Sequence, residues 1–171
     1  GRAPKDRYIV REASSQKDVW WGDVNVELEE AAFSALQSDV KAYLGRRTLY
    51  VMDVYACADT KHRLKVRVVS EVAWHSLFVH NMFLQPTEDE LKVFRPDVTV
   101  LHAPLMEADR ERHGTRSGTA IVINLEKRTV LVVGTLYAGE IKKAIFSMLN
   151  YILPGAGVLP MHCAANLGDD G

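Results

Sequence analysis

Two apolar runs, Thr119–Leu125 and Val130–Gly134, are separated only by Glu126-Lys127-Arg128. Three polar residues between two strand-like segments predict a hairpin, and so one antiparallel pair. Further strand candidates lie upstream. Tyr8-Ile9-Val10 is short, Leu49–Tyr55 is rich in β-branched and aromatic residues, and Leu64–Val68 alternates apolar with charged side chains. That alternation suits a strand with one face exposed. Val98–Leu101 reads as a buried strand whose segment ends at Pro104. Helical spacing intervenes. In Glu27–Leu44, Leu28, Ala32, Leu36, Val40 and Tyr43 fall at steps of three and four, with Asn25 available to cap the start and Gly45 the end. Val72–Phe83 offers Val72, Leu77, Val79 and Phe83 to a core, and Thr87 with Glu90 predicts a capping box for a short helix to Phe94. Strands and helices alternate irregularly around a hairpin. The expected fold is α/β: a mixed β-sheet with flanking helices in a single domain.

Composition narrows the function classes. The 21 basic and 22 acidic residues leave a net charge of −1, which supplies no basic surplus for nucleic acid. No stretch approaches the ~18 consecutive apolar residues of a membrane span. Two cysteines, Cys57 and Cys163, are too few for a disulfide framework, and no signal peptide is present, so a cytoplasmic location is expected. The chain starts at Gly1-Arg2 without methionine and stops just after an apolar run. The expectation is a piece of a larger protein.

Polar, chemically useful residues concentrate between Gly134 and Gly171. After Gly139, Ile141, Ile145, Met148, Leu149 and Ile152 form the apolar face of a helix. Lys142 and Lys143 sit about 100° apart around that helix, so both cannot lie at the centre of its face. Both fall in its first turns, where the helix dipole disfavours cations. Such a local conflict fits a functional site, and two solvated lysines fit it as well. His162 follows Val158–Met161, read as a short strand, and suits either a core histidine or a ligand. Cys163 reads as a small buried hydrophobe. No spacing matches a zinc site. Gly134-x-x-x-x-Gly139 is not a phosphate loop, because Glu140-Ile141 stand where Lys-Ser/Thr is needed. Trp20-Trp21-Gly22 reads as a packed corner or a ligand platform, and residues 105–118 as a long exposed loop of the kind that carries function.

These residues carry a resemblance. Gly1-Arg2-Ala3-Pro4-Lys5-Asp6, Trp20-Trp21-Gly22, Ala73-Trp74-His75 with Asn81-Met82-Phe83, Phe94-x-Pro96-Asp97, Gly114-Thr115, Gly134-Thr135-x-Tyr137-x-Gly139-Glu140-x-Lys142-Lys143 and Met161-His162-Cys163-x-Ala165-Asn166 occur in this order. Across essentially its whole length the chain resembles the ATP-dependent phosphoenolpyruvate carboxykinases. The resemblance implies a metal-dependent decarboxylation and phosphorylation of oxaloacetate to phosphoenolpyruvate, with carbon dioxide and ADP as the other products, a step of gluconeogenesis. It implies Mn2+ or Mg2+ as cofactor and ATP as co-substrate. Arg2 would bind the substrate carboxylate, and Tyr137 would contact substrate or carbon dioxide. Lys143 would also touch substrate. Lys143 and His162 would ligate the metal and contact the nucleotide, and Lys142 would neutralise the phosphoryl group in transfer. Lys142, Lys143 and Tyr137 are thus the catalytic candidates.

By the same resemblance, residues 1–171 are the N-terminal domain of a two-domain carboxykinase. Its phosphate loop and metal-binding aspartate pair would follow, and Asp169-Asp170 are not that pair. The fragment alone is expected to be inactive. A non-catalytic dicarboxylate- or partner-binding domain of the same fold is the alternative. Two departures from the family pattern stand out. Ala164 replaces the usual serine, and Cys57 stands where glycine is expected, which is tolerable only if the backbone there does not need positive φ.

Overall fold

The computed structural model describes residues 2–164 and 166–169. Gly1, Ala165, Asp170 and Gly171, which figure in the motifs and tail named above, lie outside the described residues. Among the described residues there are seven strands: β1 (Arg7–Val10), β2 (Val26–Leu28), β3 (Tyr50–Ala56), β4 (Leu64–Ser70), β5 (Val98–Ala103), β6 (Ala120–Asn124) and β7 (Thr129–Val133). The helices are α1 (Glu30–Leu44), α2 (Ala73–Met82), α3 (Glu88–Lys92) and α4 (Gly139–Gly155). The strands form one sheet in the order β2-β1-β6-β7-β5-β4-β3. The predicted hairpin β6–β7 and the pair β3–β4 are antiparallel, and every other pairing is parallel. The expected mixed sheet is therefore present.

Its central strands are buried on both faces, and the two-residue period of a strand divides their side chains between two cores. Ile121, Ile123, Val130 and Val132 pack with Val79 of α2 and with Ile141, Ala144, Ile145 and Met148 of α4. Ala120, Val122, Leu131 and Val133 pack on the other face against Phe33, Leu36, Val40 and Leu44 of α1. Parallel strands β4, β5 and β7 end together, at Ser70, Ala103 and Val133. The turn Gly134–Ala138 and the start of α2 follow from these ends, so the sheet delivers them to one place. Open α/β sheets bind ligands at such carboxyl ends.

Several local expectations are corrected. Residues 26–28 form an edge strand on β1 rather than the start of a helix, because Val26 and Leu28 follow the period of two. The cap of α1 is therefore Glu29, without a side-chain hydrogen bond, while Asn25 donates to the Trp20 carbonyl. Trp20 is 86% exposed and takes no part in a packed corner, whereas Trp21 is half-buried and donates from Nε1 to the Gln16 carbonyl. In α2 the core residues are Val79 and His75, one turn apart, and this rotation leaves Leu77 54% exposed. The loop at 105–118 is exposed along most of its length, as expected, and is anchored at several points. Arg112 and His113 both bind Asp39 of α1, Ser117 binds Asp6, and His113 and Thr115 are buried. Residues 158–161 form no strand, since they lie beyond the sheet, and His162 and Cys163 are exposed rather than core. The capping box at Thr87 and Glu90 forms as predicted.

Cys57 fails the condition set on it: it follows β3 with φ 76°, in the left-handed region. An L side chain there costs about 1–2 kcal/mol that glycine avoids. Cys57→Gly is expected to raise the unfolding free energy by about 1 kcal/mol in a denaturant titration. A loss of stability would mean that thiol packing outweighs the backbone strain.

Candidate functional site

The site is built around a side chain that the sequence reading passed over. Glu140, in the first turn of α4, is 0% exposed, and a helix N-terminus favours an acid there. Arg7 of β1 donates to its Oε2 from Nε at 3.2 Å and Nη2 at 2.7 Å. The Ala3 amide donates to Oε1 at 3.4 Å, and Lys143 Nζ donates to the same atom at 3.3 Å. Burial by itself pushes the Glu140 carboxyl up. The hydrogen bonds and charge of Arg7, the charge of Lys143 and the Ala3 amide outweigh burial and hold it below its ordinary value. One carboxylate thus ties the segment bearing Arg2 to the helix bearing Lys142 and Lys143.

Tyr137 stands beside the start of that helix. Lys143 Nζ lies 5.0 Å from the centroid of its ring, within cation–π range. The ring also lies against the α-carbon of Gly139, where a Cβ would come within 2.7 Å of the ring and 2.9 Å of the hydroxyl. Glycine at 139 is what lets the ring occupy that place. Lys142 points elsewhere, lining a cleft of about 380 Å³ with Cys57, Asn81 and Phe146. Arg2 is exposed, and among the described residues its side chain makes no hydrogen bond or ion pair.

His162 stands against Phe146 of α4, ring centroids 5.5 Å apart. No hydrogen bond or ion pair joins it to Lys143. The structure therefore brings Arg7, Lys143 and the Ala3 amide, next to Arg2 in sequence, onto Glu140 and sets Tyr137 against Lys143, while Lys142 and His162 lie apart from that group. Two cationic side chains, Arg7 and Lys143, face one buried carboxylate. The excess of positive charge suits a ligand carrying carboxylate or phosphoryl groups.

Behind Tyr137 lie two further residues without an assigned role in the sequence reading, the buried histidines His75 and His102. Their rings meet edge to face with centroids 4.2 Å apart. Nε2 of His75 lies 3.0 Å from the Leu136 carbonyl, and Nε2 of His102 lies 3.3 Å from the Thr135 carbonyl. Burial, and secondarily the neighbouring His75, push His102 down to about 3 against the opposing pull of the Thr135 carbonyl. Burial also lowers His75, opposed by the Leu136 carbonyl and Glu71. Burial thus favours the neutral form of both rings. A histidine inside the otherwise apolar run Val100-Leu101-His102-Ala103 was the available signal.

The sequence matches the phosphoenolpyruvate carboxykinase family over residues 1–171. The phosphoenolpyruvate carboxykinase (ATP) of Thermus thermophilus is 50% identical over 175 residues, covering 100% of this chain and 33% of the relative. That of Novosphingobium aromaticivorans is 47% identical over 172 residues, covering 100% of this chain and 32% of the relative. That of Brevibacillus brevis is 49% identical, covering 100% of this chain and 33% of the relative. The chain spans about a third of the length of these curated relatives.

Proposed function

Because the chain belongs to the ATP-dependent phosphoenolpyruvate carboxykinase family, we propose that it is the N-terminal, substrate-side domain of a cytoplasmic enzyme making phosphoenolpyruvate from oxaloacetate and ATP. The observation that carries this reading is the convergence on Glu140. It holds the Arg2 segment, Arg7 and Lys143 together beside Tyr137.

In this reading Arg2 grips a substrate carboxylate through its planar guanidinium and fixes its orientation. Tyr137 presents its hydroxyl to the substrate or to the departing carbon dioxide. Breaking the bond to the carboxyl group leaves an electron pair on the enolate, and the enolate oxygen attacks the terminal phosphoryl of ATP as ADP leaves. Lys142 offsets the phosphoryl charge, since such transfers depend on positioning and charge more than on covalent help.

Mn2+ or Mg2+ belongs to the same reading, with Lys143 and His162 as its ligands here. A hard divalent ion takes about six mostly oxygen ligands. These two residues offer two nitrogens, and among the described residues no group of three or more His, Cys, Asp or Glu gathers. They would therefore hold only part of its coordination sphere. When bound, the ion would stabilise enolate charge as a Lewis acid. Lys143 Nζ also donates to Glu140, and a lysine offers a metal its lone pair only as the neutral amine.

Lys143→Arg in the complete enzyme chain tests the reading. The guanidinium keeps a cation beside Glu140 but cannot serve as a neutral amine ligand. Turnover is expected to fall roughly 10²- to 10³-fold, with weaker manganese affinity and an unchanged melting temperature. Normal turnover and manganese affinity would remove Lys143 from the ligand set.

A further inference from the structure

We propose that His75 and His102 are positioning residues: a stacked pair of hydrogen-bond donors that holds the peptide units Thr135 and Leu136, and through them Tyr137, in its working orientation. The inference rests on the reading that Tyr137 handles substrate. It adds a pair of residues that never touch the substrate themselves.

The geometry assigns the protons. A carbonyl oxygen only accepts, so the nitrogen facing it carries the hydrogen. Nε2 of His75 therefore donates to the Leu136 carbonyl at 3.0 Å, and Nε2 of His102 donates to the Thr135 carbonyl at 3.3 Å. Nδ1 of His102 is then the acceptor, and Ser70 Oγ, 3.0 Å away, donates to it. Ser70 Oγ in turn accepts from the Val72 amide at 3.3 Å, just ahead of α2. A continuous chain of donors thus runs from the entry of α2 through β4 and β5 to the turn after β7.

Two consecutive carbonyls caught by two imidazoles from different elements leave that turn little freedom. Tyr137 is the next residue, and its amide is itself held by Thr135 Oγ1 at 3.2 Å. Its ring is fixed from the other side by Gly139 and Lys143. Packing alone does not explain the pair. Four ring nitrogens are placed in the interior, and His75 Nδ1 is buried there without a hydrogen-bond partner. An apolar pair would fill the same volume without that desolvation cost, and a buried unpaired group in a native fold calls for a reason. Orientation of the turn supplies one.

The test compares His75→Phe with His75→Gln in the complete enzyme chain. Phenylalanine keeps a ring against His102 but has no donor for Leu136. Glutamine loses the ring, and its amide places a donor near the position of Nε2. Two readouts are taken: the 19F resonance of fluorotyrosine at position 137, and KM against kcat for oxaloacetate. The expected result is a displaced Tyr137 resonance and a fall in kcat/KM of roughly ten- to a hundredfold in His75→Phe. His75→Gln should restore both toward wild type. Should His75→Phe fail to fold, Ser70→Ala, which removes only the hydroxyl on His102, is read the same way. An unmoved Tyr137 resonance in a folded His75→Phe or Ser70→Ala protein overturns the inference. Tyr137→Phe separates the two readings. If it leaves oxaloacetate kinetics intact while His75→Phe still moves the 137 resonance, the positioning role stands and the substrate role of Tyr137 falls.

Discussion

Replacing Glu140 with alanine is expected to cost roughly 3 kcal/mol of stability and to abolish phosphoenolpyruvate formation in the complete enzyme chain. Removing one member of a buried ion pair costs about 3–5 kcal/mol because the other charge is left stranded. Arg7 is 31% exposed and can take up water, which sets the estimate at the lower end. The alanine also releases the Ala3 amide and Lys143, so the Arg2 segment and the lysine helix lose their common anchor. Glu140→Gln keeps the size and one acceptor but not the charge, and should fall between wild type and alanine. The sign of the pH dependence follows from the depressed carboxyl. Its contribution is fully present above the ordinary value of 4.5 and is lost as pH falls through the lower value in the fold. Denaturant titrations at pH 7 and pH 4 measure it, and the gap between wild type and Glu140→Ala should narrow in acid. A variant within about 0.5 kcal/mol of wild type at pH 7 would show that Glu140 organises nothing.

Gly134→Ala is expected to be at least as damaging, for a different reason. The residue follows β7 with φ +71°, and a Cβ there would lie 2.4 Å from the Gly118 carbonyl oxygen and 3.0 Å from the Thr119 α-carbon. Both are backbone atoms, and Thr119 Oγ1 holds the Gly134 carbonyl at 2.8 Å, so neither neighbour can withdraw cheaply. Backbone strain of about 1–2 kcal/mol combines with this collision to give a loss of about 3 kcal/mol or more. Gly157→Ala is the control. Its φ is +74° with nothing within 4 Å of the added atom, so it should show the strain alone. Equal thermal shifts in the two variants would exclude the collision. The Gly134 turn precedes Thr135 and Tyr137, so whatever Gly134→Ala protein folds should also handle oxaloacetate poorly.

The fold was legible where a period was clean and local. The hairpin, the alternation of β4 and the apolar face of α4 each follow from spacing along one segment. The errors came where tertiary context decides. Val26 and Leu28 fit both a helix and a strand, and only pairing with β1 selects the strand. Leu77 looks like core until α2 is rotated to bury His75 and Val79. The anchors of the exposed loop at 105–118 on Asp39, Asp6 and Tyr8, distant in sequence, are likewise set by tertiary context. In the candidate site, Arg2, Tyr137, Lys142, Lys143 and His162 came forward through the family resemblance. Glu140 did not, because an acid in a first helical turn looks ordinary until its partners from β1 and the N-terminal segment are seen. His75 and His102 are far apart in sequence and acquire meaning only when the two consecutive carbonyls they hold, one each, become visible.

The contact between Tyr137 and Gly139 carries an implication for descent. Any side chain at 139 evicts the ring, so position 139 is closed to drift for as long as the tyrosine is in use. Replacement of Tyr137 by a small residue would open 139 at once, and a later alanine there would then block the tyrosine's return. The two positions form a ratchet, and the order in which they change decides whether a lineage can recover the ring.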